Sequence, residues 1–128
     1  MLGEIFRCKW QFDDKSESLY VCEQVSHHPP ISAYHYASPE NHLVIMGDIR
    51  PKSKFLGNSA ATLMQGTNKV IFTQVAGNET EEIYSINLPN IYARGILFGT
   101  MYMELGDVVS IKCEHTGYSC ELKFEIKV

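Results

Sequence analysis

The run CEQVSHHPPIS, Cys22 to Ser32, sets two histidines side by side and follows them with two prolines. Consecutive side chains on a strand point to opposite faces, so strand ligands to one metal are normally alternate residues, and an adjacent pair fits that purpose poorly. No metal site is expected at His27 and His28. Pro29 and Pro30 have no N–H to give to a sheet ladder, so the strand should end near Ser26 and resume at Ile31. At such a corner both imidazoles can swing to one side. Imidazole exchanges protons near neutral pH, and two of them beside an anion offer charge-assisted hydrogen bonds suited to a phosphate monoester. The plainer alternative is one packed histidine and one solvated at a loop. Glu23 and Gln24, just before the pair, suit a structural role, tying the corner down by hydrogen bonds.

A second group is cationic. Arg50, Lys52 and Lys54 alternate along one stretch and so share a side of a strand, in a chain whose formal net charge is −4. A solvated face is the simpler account of Arg50 and Lys54. Ser53 points the other way in a regular strand, so bringing Lys52 and Ser53 to one place requires a bend.

The elements that must position these residues read as strands. Tyr118 to Val128, YSCELKFEIKV, puts Tyr, Cys, Leu, Phe, Ile and Val on one face and Ser, Glu and Lys on the other without an error. Less regular strands are expected at about 5–12, 18–25, 31–37, 43–50, 59–64, 69–75, 81–88, 94–105 and 107–115. Turn signals separate them: DDKS, SPEN, QGTN, AGNET, LPN, LGD and HTGY. The close spacing, with no stretch of helical periodicity, predicts an all-β antiparallel meander or barrel in which any short helix falls in a loop.

Composition limits the function classes. A chain of 128 residues, 45% hydrophobic and 20% charged, is one ordered domain or a piece of one, and no apolar run is long enough for a membrane-spanning helix. The acidic balance argues against general nucleic-acid binding. Cys8, Cys22, Cys113 and Cys120 include no C-x-x-C pair and follow no targeting segment, so reduced thiols in the cytoplasm are expected, with Cys22 and Cys120 packed. No cofactor is indicated.

EQVSHHPP, Glu23 to Pro30, resembles the fingerprint of the oxysterol-binding protein family of lipid-transfer proteins at all eight positions. LGEIFRC, Leu2 to Cys8, is similar to the tail of the family's Lys-Pro-x-Asn-Pro-x-Leu-Gly-Glu motif, and KSKFLGNS, Lys52 to Ser59, to its Lys-Ser-x-Phe-x-Gly-Asn-Ser stretch. RGILFGTMYMELGD, Arg94 to Asp107, is closest to the branch that exchanges phosphatidylserine for phosphatidylinositol 4-phosphate. The resemblance implies that residues 1–128 are the central portion of a large lipid-binding β-barrel with a tunnel, without the amino-terminal lid and the carboxy-terminal region. The Lys and Asn of the first motif and the later Lys, Glu and Arg that touch the head group would then lie outside it, either because the chain is a cut core or because its start was placed within the gene. It further implies that His27 and His28 bind the 4-phosphate, and that Lys52 and Ser53 lie at the head group of a bound phospholipid.

Three functions follow for comparison. The first is non-vesicular transfer of phosphatidylinositol 4-phosphate in exchange for phosphatidylserine or a sterol, by a cytoplasmic protein peripheral to membranes, with endoplasmic reticulum contact sites among its places of work. Its driving force is desolvation of acyl chains, about 0.8 kcal/mol per buried methylene. The second is an all-β interaction or scaffold domain. The third is a histidine-dependent phosphoryl-transfer or hydrolytic enzyme, against which stands the lack of a P-loop, a G-x-S-x-G or a zinc-deaminase pattern. Outer strands of a barrel portion would have open edges, so self-association of the 128-residue chain is also expected.

Overall fold

A computed structural model describes residues 1–74 and 80–126. Ten strands run in chain order: β1 Ile5–Gln11, β2 Glu17–His27, β3 Pro30–Ser38, β4 Leu43–Phe55, β5 Ser59–Gln65, β6 Asn68–Phe72, β7 Glu82–Ile86, β8 Asn90–Arg94, β9 Tyr102–Lys112 and β10 Ser119–Phe124. A single 3-10 turn, Pro39–Asn41, sits in the β3–β4 connection, where the SPEN signal lies. Val75, most of the AGNET turn and the last two residues of the expected final strand lie outside the described residues.

All pairings are antiparallel, and the sheet is a meander of eight ribbons, two of them interrupted. β5 and β6 lie along β4 in one continuous register, with Arg50 opposite Gln65 and Gly47 opposite Asn68. At the gap the β4 backbone and side chain take over: Asp48 N–H donates to the Thr67 carbonyl (3.0 Å), and Thr67 N–H donates to the Asp48 carboxylate (3.1 Å). Along β9, β7 and β8 likewise form one broken ribbon, Ile86 lying opposite Ile111 and Asn90 opposite Gly106. Here asparagine side chains replace ladder bonds. Asn87 accepts from Ser110 N–H (2.6 Å) and donates to the Val108 carbonyl (3.0 Å), while Asn90 accepts from Met64 N–H (2.9 Å).

Connections alternate between two ends of the sheet. The β2–β3, β4–β5 and β8–β9 turns lie at one end, and the β1–β2, β3–β4 and β9–β10 turns at the other. β1 and β10 are the outer strands, each paired with one neighbour among the described residues.

Two expectations need correction. The strand expected at about 43–50 is longer: β4 continues to Phe55 and carries Lys52 and Ser53 within it. The β3 ladder stops at Ser32 opposite Ile49, so Pro51 faces a paired strand on one side only, the setting in which a strand tolerates proline. The LGD signal is also not a turn: β8 ends at Arg94, residues 95–101 form the loop, and β9 runs straight through Leu105-Gly106-Asp107. Gly106 is there because the Tyr92 ring covers it; a Cβ would stand 2.7 Å from Tyr92 Cε2. Asp107 takes a left-handed φ of 72°, offset by hydrogen bonds to its carboxylate from Asn90 Nδ2 (2.6 Å) and the Tyr92 hydroxyl (2.5 Å). Those two donors hold the Asp107 carboxyl below its ordinary value.

Register and alternation collect Phe6, Cys8 and Trp10 of β1, Tyr20 and Cys22 of β2, and Tyr34 and Tyr36 of β3 on one face. Val109 and Ile111 of β9, with Cys120 and Leu122 of β10, continue that face across the sheet. The sheet has no second layer: among the described residues only Ala61, Val109 and Cys113 are buried apolar side chains, whereas Phe6, Trp10, Leu105 and Leu122 are exposed. All four cysteines are free; Cys22 is half-buried, and Cys120, expected to pack, is exposed on the outer strand β10.

Candidate functional site

The histidine corner is a two-residue connection. β2 reaches His27 after a bulge between Gln24 and Ser26, β3 starts at Pro30, and the His28–Pro29 peptide is cis. The bulge shifts alternation by one, which returns His27 to the face that carries Gln24 and Tyr34. The two imidazole rings stand 4.4 Å apart between centroids, tilted by 52°, and both residues are exposed. The corner's polar groups brace one another. Ser26 Oγ donates to the Pro29 carbonyl (2.6 Å), and the Gln24 amide nitrogen lies 3.3 Å from the Ser26 carbonyl and 3.2 Å from His27 Nδ1. Because the Ser26 carbonyl is an acceptor only, it fixes which end of the Gln24 amide faces the ring. His27 Nδ1 is therefore the acceptor, and its Nε2–H is the donor left for a ligand. The structural role expected for Gln24 is visible in these contacts, whereas Glu23 contributes through its place in the β1 and β3 ladders.

Lys52 and Ser53 lie at the same end of the sheet as the corner, just past the point where the β3–β4 ladder stops. Their register on β5 is regular, Lys52 opposite Leu63 and Ser53 opposite Thr62, so no bend brings them together. Ser53 is on the aromatic face with His27; Lys52 is on the opposite face with Arg50 and Lys54. Arg50 is paired with Asp48, and this contact lowers the Asp48 carboxyl below its ordinary value. Lys52 and Lys54 are exposed and have no ion pair among the described residues. No hydrogen bond among the described residues joins the histidine pair to Lys52 or Ser53.

Below the corner runs an aromatic ladder that single-residue reading missed. Tyr20 lies 6.2 Å from Phe6 and from Tyr34, stacked on the latter, and Trp10 contacts Tyr20 at 6.5 Å and Tyr36 at 6.1 Å. Burial, then the contact with Cys22, pushes the Tyr20 phenol up to about 12. Burial and the nearby Asp48 carboxylate raise Tyr34 as well. Both phenols thus stay neutral donors. Tyr34 donates a hydrogen bond to Asn68 Oδ1 at 2.6 Å, and the buried Asn68 Nδ2 has no partner among the described residues. The signal available in the sequence was alternation: F-x-C-x-W, Y-x-C and Y-x-Y in three successive strands.

The corner thus offers donors for an anion above an apolar, aromatic wall. Among the described residues there is no group of three His, Cys, Asp or Glu side chains that could hold a metal, and no helix long and apolar enough to cross a membrane. Comparison with known proteins matches this arrangement to one family. Residues 1–128 match the family model described as oxysterol-binding protein. The chain is 45% identical over 128 residues to the oxysterol-binding protein-like protein OBPa of Candida albicans and 44% identical to oxysterol-binding protein homolog 7 of Saccharomyces cerevisiae. Each alignment covers 99% of this chain and 29% of the relative, so the chain spans under a third of the proteins it matches. Among solved structures it is similar to the Osh1 ORD domain in complex with ergosterol, with a TM-score of 0.83 and 34% identity over 97% of this chain and 28% of that one. The fold is also that of the Saccharomyces cerevisiae Osh3 ORD in complex with PI(4)P, with a TM-score of 0.80 at 21% identity over 99% of this chain and 31% of that one. An all-β antiparallel meander with the HHPP corner at one end, matched over its whole length, places this chain in the oxysterol-binding protein family.

Proposed function

We propose that this chain is the central barrel portion of a lipid-transfer domain, and that the protein carries phosphatidylinositol 4-phosphate between membranes in exchange for phosphatidylserine or a sterol, with no covalent bond made or broken. The observation that carries this reading is the exposed imidazole pair, braced by Gln24 and standing over an aromatic wall. Charge-assisted donors at the rim suit a phosphate, and the apolar face suits acyl chains or a sterol ring system. The ergosterol complex of the Osh1 domain supports a sterol as second cargo, and the Arg94–Asp107 segment supports phosphatidylserine; competition between the two cargoes decides. In this reading His27, His28 and Ser53 meet the head group from the aromatic face, and Lys52 reaches it around the end of the sheet. The protein works as a peripheral cytoplasmic carrier at membranes, endoplasmic reticulum contact sites included.

His27→Ala with His28→Ala in the intact protein should abolish extraction of labelled phosphatidylinositol 4-phosphate and leave the circular dichroism spectrum unchanged. Unchanged extraction by the folded double variant would remove the assignment. Lys52→Ala should cost less, about 0–1 kcal/mol, because a rim cation is solvated in the free protein. Recovery of the lipid unaltered separates transfer from hydrolysis, and failure to extract any lipid would leave the scaffold alternative standing.

A further inference from the structure

The end of the sheet that holds the histidine corner also holds two apolar tips fastened to each other. One is the β4–β5 turn with the residues before it, where Phe55 is 73% exposed and Leu56 is also exposed; the other is the loop at 95–101, where Phe98 is 78% exposed and Leu97 and Met101 are exposed as well. Asn58 joins them. Its Oδ1 accepts from the N–H groups of Leu97 and Phe98, both at 2.8 Å, its Nδ2 donates to the Phe98 carbonyl (3.0 Å), and its own carbonyl accepts from Ile96 N–H (3.1 Å). Gly95 closes the loop at φ +66°, where a Cβ would stand 2.3 Å from the Thr100 carbonyl oxygen. The apolar side chains therefore project from a backbone braced through Asn58, with the N–H groups of Ile96, Leu97 and Phe98 and the Phe98 carbonyl paired, which lowers the cost of bringing those groups to an apolar boundary.

Charge around the tips is one-sided. Neither 51–65 nor 90–103 contains a carboxylate, in a chain with 15 acidic residues. Lys52 and Lys54 are exposed beside Phe55 and have no ion pair among the described residues, whereas Arg94 is held by Glu104 at 2.9 Å. Apolar side chains at the apex with free cations behind them match the two layers of an anionic bilayer, acyl boundary and head groups.

We propose that this double tip docks the protein on membranes bearing anionic lipid, with Phe98, Leu97 and Phe55 entering the boundary between head groups and acyl chains and Lys54 resting on the head groups. Docking in this pose turns the His27–His28 end toward the lipid surface. The surface is distinct from the cargo site, and it is tested on vesicles that contain no phosphoinositide.

The test uses the intact protein with Trp10, the one tryptophan of these 128 residues, and every tryptophan outside them replaced by Phe, and with Phe98→Trp as reporter. On vesicles of phosphatidylcholine with phosphatidylserine, the emission should shift to the blue and be quenched by brominated acyl chains. In the native background, Leu97→Ser with Phe98→Ser should lower the vesicle partition coefficient by about tenfold or more, since each side chain forfeits its transfer into the boundary. Lys54→Glu should lower it about fivefold or more on the anionic vesicles and leave it unchanged on phosphatidylcholine alone. An indole at position 98 that is already shielded without vesicles would show that another part of the protein covers the tips, and would overturn the proposal. So would an unquenched indole, or partition indifferent to the polar tip or to phosphatidylserine. The quenching measurement decides even if the double serine variant fails to fold.

Discussion

Gln24 divides one amide between the Ser26 carbonyl and His27 Nδ1, and in the proposed site that division leaves Nε2 for the phosphate. Gln24→Ala should keep the fold yet weaken phosphatidylinositol 4-phosphate binding by about 0.5–1.5 kcal/mol, the net worth of a hydrogen bond, read from a lipid-extraction titration. An affinity equal to that of the native protein would mean that the ring is positioned without it. At this scale the sequence announced the place of the corner, because two histidines before two prolines are improbable anywhere but at a strand end. It did not announce the bulge that returns His27 to the aromatic face, since the signal for it is a mismatch with Ser32 on a strand not yet paired. Nor did it reveal Asn58, whose partners are 39 and 40 residues away.

Interrupted ribbons are where element boundaries went astray. The alternating strand at β10 was legible because each residue's character follows from its face, and the LGD turn was misread because glycine and aspartate signal turns whenever nothing else explains them. Here Tyr92 explains both, covering Gly106 and donating to Asp107. Asp107→Ala should therefore cost about 1 kcal/mol of unfolding free energy, a figure kept small because the residue is exposed, with denaturant titration as the readout. The effect has a defined pH dependence. A carboxyl held below its ordinary value in the fold stabilises above the ordinary carboxylate range and loses that contribution as pH falls through its lowered value. The gap between native and Asp107→Ala proteins should be full at neutral pH and shrink in acid; a gap that widens in acid would contradict the bonding described.

At the scale of the whole molecule, a single sheet whose outer strands each pair on one side only among the described residues, and whose aromatic face is uncovered by them, has surfaces to satisfy. The 128-residue chain in isolation should associate, with a light-scattering mass that rises with concentration, through the free edges of β1 and β10 and the apolar side chains beside them. A monomer mass throughout a dilution series would show that the sheet covers itself. Leu122→Lys on β10 should lower the mass, because a charge on an outer strand opposes pairing. The all-β class and the meander were readable from alternation and turn chemistry, while the two breaks were not: they depend on asparagine and aspartate side chains standing in for backbone. The alternation of connections between the two ends has a practical consequence. The loops at 12–16, 39–42 and 113–118 lie a full strand length from the histidines and the apolar tips. A fluorophore, epitope or fused domain placed in one of them, the 39–42 connection first, should report on the molecule while leaving the working end untouched.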